Sequence, residues 1–428
     1  MSVFVNNHVY VRRLVCFFIG SWLAAFAVFS ASEVQAATVE ISALFSPDPN
    51  NPTVNQFKNT TPNSGLCATF PSFCSSRGLY SIRLGFEALT QYPILANHAN
   101  IRDGAMIKVP AEVRTTQVMS ASGRTADVDF SITAFSGSNR TRSVYDIIGT
   151  PDNPVGPNTA NNILWGGYPW SYFAPAPCVL AASTGLSSDR DADFFWSTPV
   201  SAPCGKSPVF EIDWLLLRNA SVSYLMTAPD PLSMDSGTYR GSITYSVGPG
   251  GDFDFGDNLS TPETSVTFNF TLEVQHTLKF QFPAGYDRVV LNPAGGWQQW
   301  LNNGRRPEAL KADQSFSMWS STAFSMELQC EYPVAMQCGI KNPAGNIVAV
   351  ETRVTLPAGL NDAAGQAVNR RLLSTTPEPF LPSRYVDNGR ATLHFEVERD
   401  EVANMIIAHS GSTYKGNITV IWDSEISH

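Results

Sequence analysis

Apolar and polar residues alternate along much of this chain with a period of two. The clearest run sets Val266, Phe268, Phe270, Leu272 and Val274 against Thr267, Asn269, Thr271 and Glu273, the pattern of a strand with one buried and one solvated face. Shorter runs recur, by their apolar side, at Val39-Ile41-Ala43, Val128-Phe130-Ile132, Val222-Tyr224-Met226, Leu278-Phe280-Phe282 and Leu393-Phe395-Val397. Turn signals separate them: Pro151-Asp152-Asn153-Pro154, Gly248-Pro249-Gly250-Gly251 and Pro293-Ala294-Gly295-Gly296, where Gly supplies positive φ and Pro removes a ladder donor. The most helix-like stretch, Ala367 to Leu373, is too short to stand alone. Charged residues make up only 15% of the chain and aromatic residues 11%, which suits short strands joined by many turns. The expected class is all-β.

One strand pattern occurs twice. Thr238-Tyr239-Arg240-Gly241-Ser242-Ile243-Thr244-Tyr245 returns as Thr413-Tyr414-Lys415-Gly416-Asn417-Ile418-Thr419-Val420, so two related domains are expected, 37–275 and 276–428, meeting near Gln275-His276-Thr277. The first copy is followed by the long alternating run that ends at Val274. The second continues through Ile421 and Trp422, and Asp423 to His428 are too few and too polar to build another core strand. If the domains share an architecture, the second is left with an open sheet edge, and Tyr414, Ile418, Val420 and Trp422 should border the uncovered groove. An unpaired hydrophobic edge is an aggregation site, so a second polypeptide is expected to supply the strand.

The N-terminus bears on compartment. Arg12-Arg13 precedes an apolar run from Leu14 to Phe29, and Val34-Gln35-Ala36 offers a cleavage site, so residues 1–36 are expected to be a secretory signal peptide. Its removal discards Cys16 and leaves Cys67, Cys74, Cys178, Cys204, Cys330 and Cys338, an even count that suggests disulfides in an exported chain. Nearest-neighbour pairing is the simplest of the connectivities open to them. Asp and Glu outnumber Lys and Arg by 37 to 28 with no basic cluster, which argues against a nucleic-acid partner.

Candidate chemistry is sparse. The histidines are scattered without zinc-site spacing, so neither a metal nor a cofactor is expected. His394, on the polar side of its strand, is expected to be solvated. Asp189, Asp191 and Asp193 alternate as in a calcium loop, but the required glycine and distal glutamate are missing, and a polar loop is favoured. Asp252, Asp254 and Asp257 would be the carboxylates of a secreted hydrolase, although their Gly-rich setting suits turn residues better. The segment Trp165-Gly166-Gly167-Tyr168-Pro169-Trp170-Ser171-Tyr172-Phe173 can be taken two ways. Trp165, Tyr168 and Trp170 are candidates to meet a sugar ring, while packing in the core near Cys178 is the common fate of large aromatics. Arg140 and Arg142 are candidates for an acidic sugar, through the planar guanidinium fork, or simply hydrated.

Several segments resemble the minor tip subunits of class 5 (alpha-clade) chaperone/usher fimbriae, the colonisation-factor and cable-pilus tip proteins. They are Leu278-Lys279-Phe280-Gln281-Phe282-Pro283, Asn292-Pro293-Ala294-Gly295-Gly296 and Tyr414-Lys415-Gly416-Asn417-Ile418-Thr419-Val420. In the first domain the resemblance rests on Leu66-Cys67, Phe173-Ala174-Pro175-Ala176-Pro177-Cys178 and the Tyr239 repeat. It implies an N-terminal adhesin domain and a C-terminal pilin domain, both immunoglobulin-like. It also implies a donor strand from a major pilin, a periplasmic chaperone, an outer-membrane usher and a host-surface glycan or protein as receptor. The expected function is a non-enzymatic fimbrial tip adhesin that initiates assembly. A hydrolase with a binding module and a pilus initiator without a receptor are the alternatives.

Overall fold

A computed structural model describes residues 35–150, 155–185 and 187–424. The expected leader up to Val34, the Pro151–Pro154 turn and residues 425–428 lie outside them. The described residues from Gln35 on belong to one compact unit, whose regular structure is mostly β.

The principal strands of the first half are β1 (Gln35–Phe45), β2 (Arg114–Ser120), β3 (Thr125–Thr141), β4 (Asp191–Ser197), β5 (Leu215–Thr227), β6 (Gly237–Ser246) and β7 (Glu263–Val274). Their neighbours run β5-β3-β2-β6-β7-β1. The long β3 pairs β5 along one edge. Along the other it pairs β2 through Thr125–Phe130 and then β4 through Ala134–Arg140. Strand β7 lies between β6, antiparallel from Gly237↔Val274 to Ser246↔Ser265, and β1, parallel from Ala36↔Ser265 to Phe45↔Val274. The alternation predicted for β7 is realised in its burial: Val266, Phe268, Phe270, Leu272 and Val274 are all in the core. The Tyr239 hydroxyl accepts from the Asp235 N–H at 3.0 Å and donates to the Asp235 carbonyl at 3.2 Å. This is the tyrosine corner of immunoglobulin-like sandwiches and marks β6 as their sixth strand.

The second half contributes β8 (Leu278–Gln281), β9 (Leu310–Ser320), β10 (Phe324–Cys330), β11 (Gln337–Lys341), β12 (Ile347–Thr355), β13 (Glu378–Pro382), β14 (Val386–Val397) and β15 (Ile418–Asp423). One layer runs β8-β9-β14-β12-β11 and the other β13-β10-β15. Phe316, Met318, Val354 and Leu393 of the first layer meet Phe324, Met326, Leu328 and Phe380 of the second. Among the described residues no strand is shared between the halves, and their main apolar clusters are separate.

The three residues between β7 and β8 are tied down. Gln275 N–H donates to the Phe45 carbonyl, and Thr277 exchanges bonds with Ser321. His276 sets one ring nitrogen 2.7 Å from the Met234 carbonyl and the other 3.1 Å from Ser321 Oγ. Three disulfides, Cys67–Cys74, Cys178–Cys204 and Cys330–Cys338, follow the nearest-neighbour pairing.

Residues 367–373, too short for a helix of their own, carry Arg371–Leu372, which pairs with Arg353 and Val354 of β12. Several expectations need correction. The longer helices are α1 (Pro157–Leu164) and α2 (Arg399–Ala408). Both carried signals, a proline at the first helical position and Asp400-Glu401 in the first turn. Asp191-Ala192-Asp193 opens β4 instead of lying in a loop. His394 is not solvated, because Asp313 on β9 holds one ring nitrogen at 2.7 Å and Thr355 on β12 the other at 2.8 Å.

Candidate functional site

The repeated motif takes its shape from its glycine. A Cβ on Gly241 would collide with the Gln117 carbonyl of β2, and one on Gly416 would come within 2.8 Å of the Gly339 carbonyl of β11. Each copy therefore crosses a neighbouring backbone too closely for a side chain. Beyond the glycine the surroundings diverge. Strand β6 is held by β7 over its whole length, and Tyr239 and Tyr245 are about 1% exposed or less. Among the described residues, strand β15 pairs with β10, from Cys330↔Ile418 to Ser325↔Asp423, and Ile418, Val420 and Trp422 are only half-buried.

Beside residues 418–422 of β15 runs a groove of about 700 Å³. Ile418, Val420 and Trp422 form one wall. Leu393 and Phe395 of β14 and Val350 of β12 lie in the opposite layer, and Phe282, Val289 and Leu291 come from the segment after β8. Trp422 packs against Phe280 at 4.8 Å between ring centroids, and Phe316 lies 6.0 Å away. Among the described residues, the buried Trp422 indole N–H has no hydrogen-bond partner. An apolar trough beside a sheet edge open on one side accepts an extended segment: backbone groups continue the ladder and alternate side chains enter the trough.

Ile418, Val420 and Trp422 line this groove, and Tyr414 is not part of its wall. Lys415 still bridges to Lys341 of β11, and the chain crosses to β10 only by Ile418, so the period-two face is broken at Gly416. The Tyr414 hydroxyl instead donates to Asn346 Oδ1 at 2.7 Å. The lining from Phe282 to Leu291, β12 and β14 went unrecognised, since only the fold brings it beside β15.

The aromatic segment divides. Trp170 is stacked on Trp196 of β4 at 4.6 Å and 9°, and Trp165 meets its edge at 5.6 Å. Both belong to the core, so they offer no ring face to an outside ligand, because β4 supplies the partner that buries them. Tyr168, Tyr172 and Phe173 remain exposed. Beneath them lies Lys206, 7% exposed, its Nζ donating to the Tyr168 carbonyl at 2.6 Å and sitting 4.9 Å from the Phe173 ring centre. Burial pushes its pKa down to about 7. Arg140 lies 3.9 Å from Asp191, and Arg142 lies 3.5 Å from Asp213; both guanidinium groups already face carboxylates.

The Gly-rich loop carboxylates are structural latches. Burial raises Asp252 and Asp254, but hydrogen bonds outweigh it and hold both below the usual carboxylate value. Arg114 and Ser246 bond Asp252, and Arg102, Gly256 and Gly250 bond Asp254. Arg102 lowers Asp257 as well. Among the described residues no group of three or more His, Cys, Asp or Glu is placed to hold a metal ion, and no helix is long and apolar enough to cross a membrane.

No protein-family model and no curated protein matches this chain. Among solved structures it is similar to a chain of the CsuC–CsuE chaperone–tip adhesion subunit pre-assembly complex from the archaic chaperone-usher Csu pili of Acinetobacter baumannii. The identity is 11% and the TM-score 0.20, with 91% of this chain and 98% of that chain covered. A likeness at that score carries no structural argument.

Proposed function

We propose that this chain is the tip adhesin of a chaperone/usher fimbria. Residues 276–428 would form a pilin domain completed by a strand from a major pilin. Residues 37–275 would form the adhesin domain that meets a host-surface receptor. The observation that supports this reading is the half-buried 418–422 stretch of β15, which among the described residues is paired along one edge and lies beside an apolar groove of about 700 Å³. A periplasmic chaperone guards such a groove until an outer-membrane usher exchanges it for a pilin, which places the chain in the periplasm and then at the fimbrial tip. The reading assigns no catalysis.

The experiment compares the full chain with a version carrying the donor strand of its neighbouring major pilin after His428. Tethering raises the effective concentration of the strand. The extended chain should be monomeric, with the melting point of its second half raised by about 10 °C or more, as several kcal/mol would do in a domain of this size. A parent chain that is equally monomeric and equally stable would refute the proposal.

A further inference from the structure

In the first half, far along the sequence from the strand groove, a second cavity of about 430 Å³ opens between a sheet face and a disulfide-closed turn. Its floor is a cross-strand row: Asp193 of β4 is opposite Ser138 of β3, which is opposite Arg218 of β5. Ser138 is 3% exposed and donates its hydroxyl proton to Asp193. Next to Arg218, β5 carries a bulge before Ser221, with Asn219 at φ 54°. Bulges of this kind re-aim side chains and interrupt pairing. The roof is the turn Leu66–Thr69, closed by Cys67–Cys74 and packed through Leu66 and Cys67 on Ala134 and Phe195. Thr69 and Phe70 form the lip.

The lining selects a chemistry. Arg218, the cation of the lining, is paired with Asp191 at 2.7 Å, so an anion would find no uncommitted positive charge there; Asp193 accepts from Ser138, and burial raises its pKa. Arg218 Nε is buried with no hydrogen-bond partner, a donor left unspent by the fold. Hydroxyl, carboxylate, guanidinium and amide groups thus surround a space within the size range of small-molecule sites, about 300–1,000 Å³. The Phe70 ring adds an apolar surface at the lip.

We infer that this cleft binds an uncharged sugar residue, its hydroxyls shared between Asp193, Ser138, Arg218 and Asn219 and one C–H face against Phe70. The inference rests on the adhesin reading and gives the receptor a chemical class and a place. It also moves the site away from the aromatic segment and from Arg140 and Arg142.

The test is saturation-transfer NMR on the full chain with the methyl glycosides of galactose, glucose, mannose, fucose and N-acetylglucosamine, and with sialyllactose as the acidic arm. At least one neutral glycoside should bind with a Kd of about 1 mM or somewhat weaker. Thr69→Trp fills the mouth from an exposed position, and Asp193→Asn removes the charge without changing shape. Each should weaken binding roughly tenfold or more while the melting point stays put, and either variant suffices should the other fail to fold. No neutral binding at about 10 mM, binding of sialyllactose alone, or binding indifferent to a folded Thr69→Trp would overturn the inference. Donor-strand uptake is measured on the same samples: uptake without sugar binding removes only the cleft, whereas failed uptake removes the fimbrial reading.

Discussion

The two copies of the repeated motif differ less in themselves than in what lies beside them. In β6 the strand following the motif, β7, closes the layer, and Tyr245 is fully buried against Phe130, Phe253 and Phe268. In β15 the same side is a trough, and Val420, at the position of Tyr245, is half-exposed. A local sequence therefore specifies a strand and its close crossing, while its burial depends on a second strand packed beside it.

The sharpest way to break this comparison is to truncate the equivalent side chains. Tyr245→Ala should cost about 3–5 kcal/mol, as large-to-small changes do at buried aromatic sites. Val420→Ala should cost less than about 1 kcal/mol in the chain alone and clearly more once a donor strand is fused. Equal losses in chemical denaturation of the two halves would show that β15 is already covered.

A second test looks for sameness. Gly241→Ala and Gly416→Ala both push a methyl into a neighbouring carbonyl, so each should destabilise its own half by roughly 1–3 kcal/mol. If Gly416→Ala were harmless, the motif's second copy would not be structural.

The smallest effect concerns the buried cation under the aromatic segment. Folding lowers the Lys206 pKa from its usual value of about 10.4 to about 7. Between those values the unfolded chain holds a proton that the folded chain has released, so stability should rise with pH across that window. Below pH 7 the folded state bears the full penalty of burying the charge. Lys206→Met should flatten the rise and increase the first half's melting point at pH 7 by about 2–4 °C, equivalent to about 1 kcal/mol. An unchanged pH profile would mean that the ammonium is adequately solvated.

Much of the fold was legible because half-buried strands leave a periodic trace: β1, β3, β5, β7 and β14 all carry it. The disulfides were legible because their partners are near in sequence. What could not be read depends on non-local neighbours. Nothing near Trp170 announces that Trp196 will stack on it, and nothing near Trp422 announces Phe395 or Val350 across the trough. Tyr414 shares the alternation of β15 on paper, yet the crossing at Gly416 is a backbone event with no signature in side-chain periodicity. The Asp191-Ala192-Asp193 stretch was polar enough to suggest a loop because its carboxylates face Arg218 and Ser138, partners supplied by two other strands.

The position of β7 has a mechanical consequence. The chain leaves the first half at Val274, the end of a strand flanked by β6 and β1, with His276 and Gln275 anchored just beyond it. A pull on the second half is delivered along the axis of β7, so its hydrogen bonds to both neighbours are loaded together in shear and cannot be peeled open one at a time. The rate at which this half gives way under load is set by its unfolding barrier, and that barrier includes two full ladders. A molecule held at one end by a surface and at the other by a filament would transmit tension through a strand paired along both of its edges.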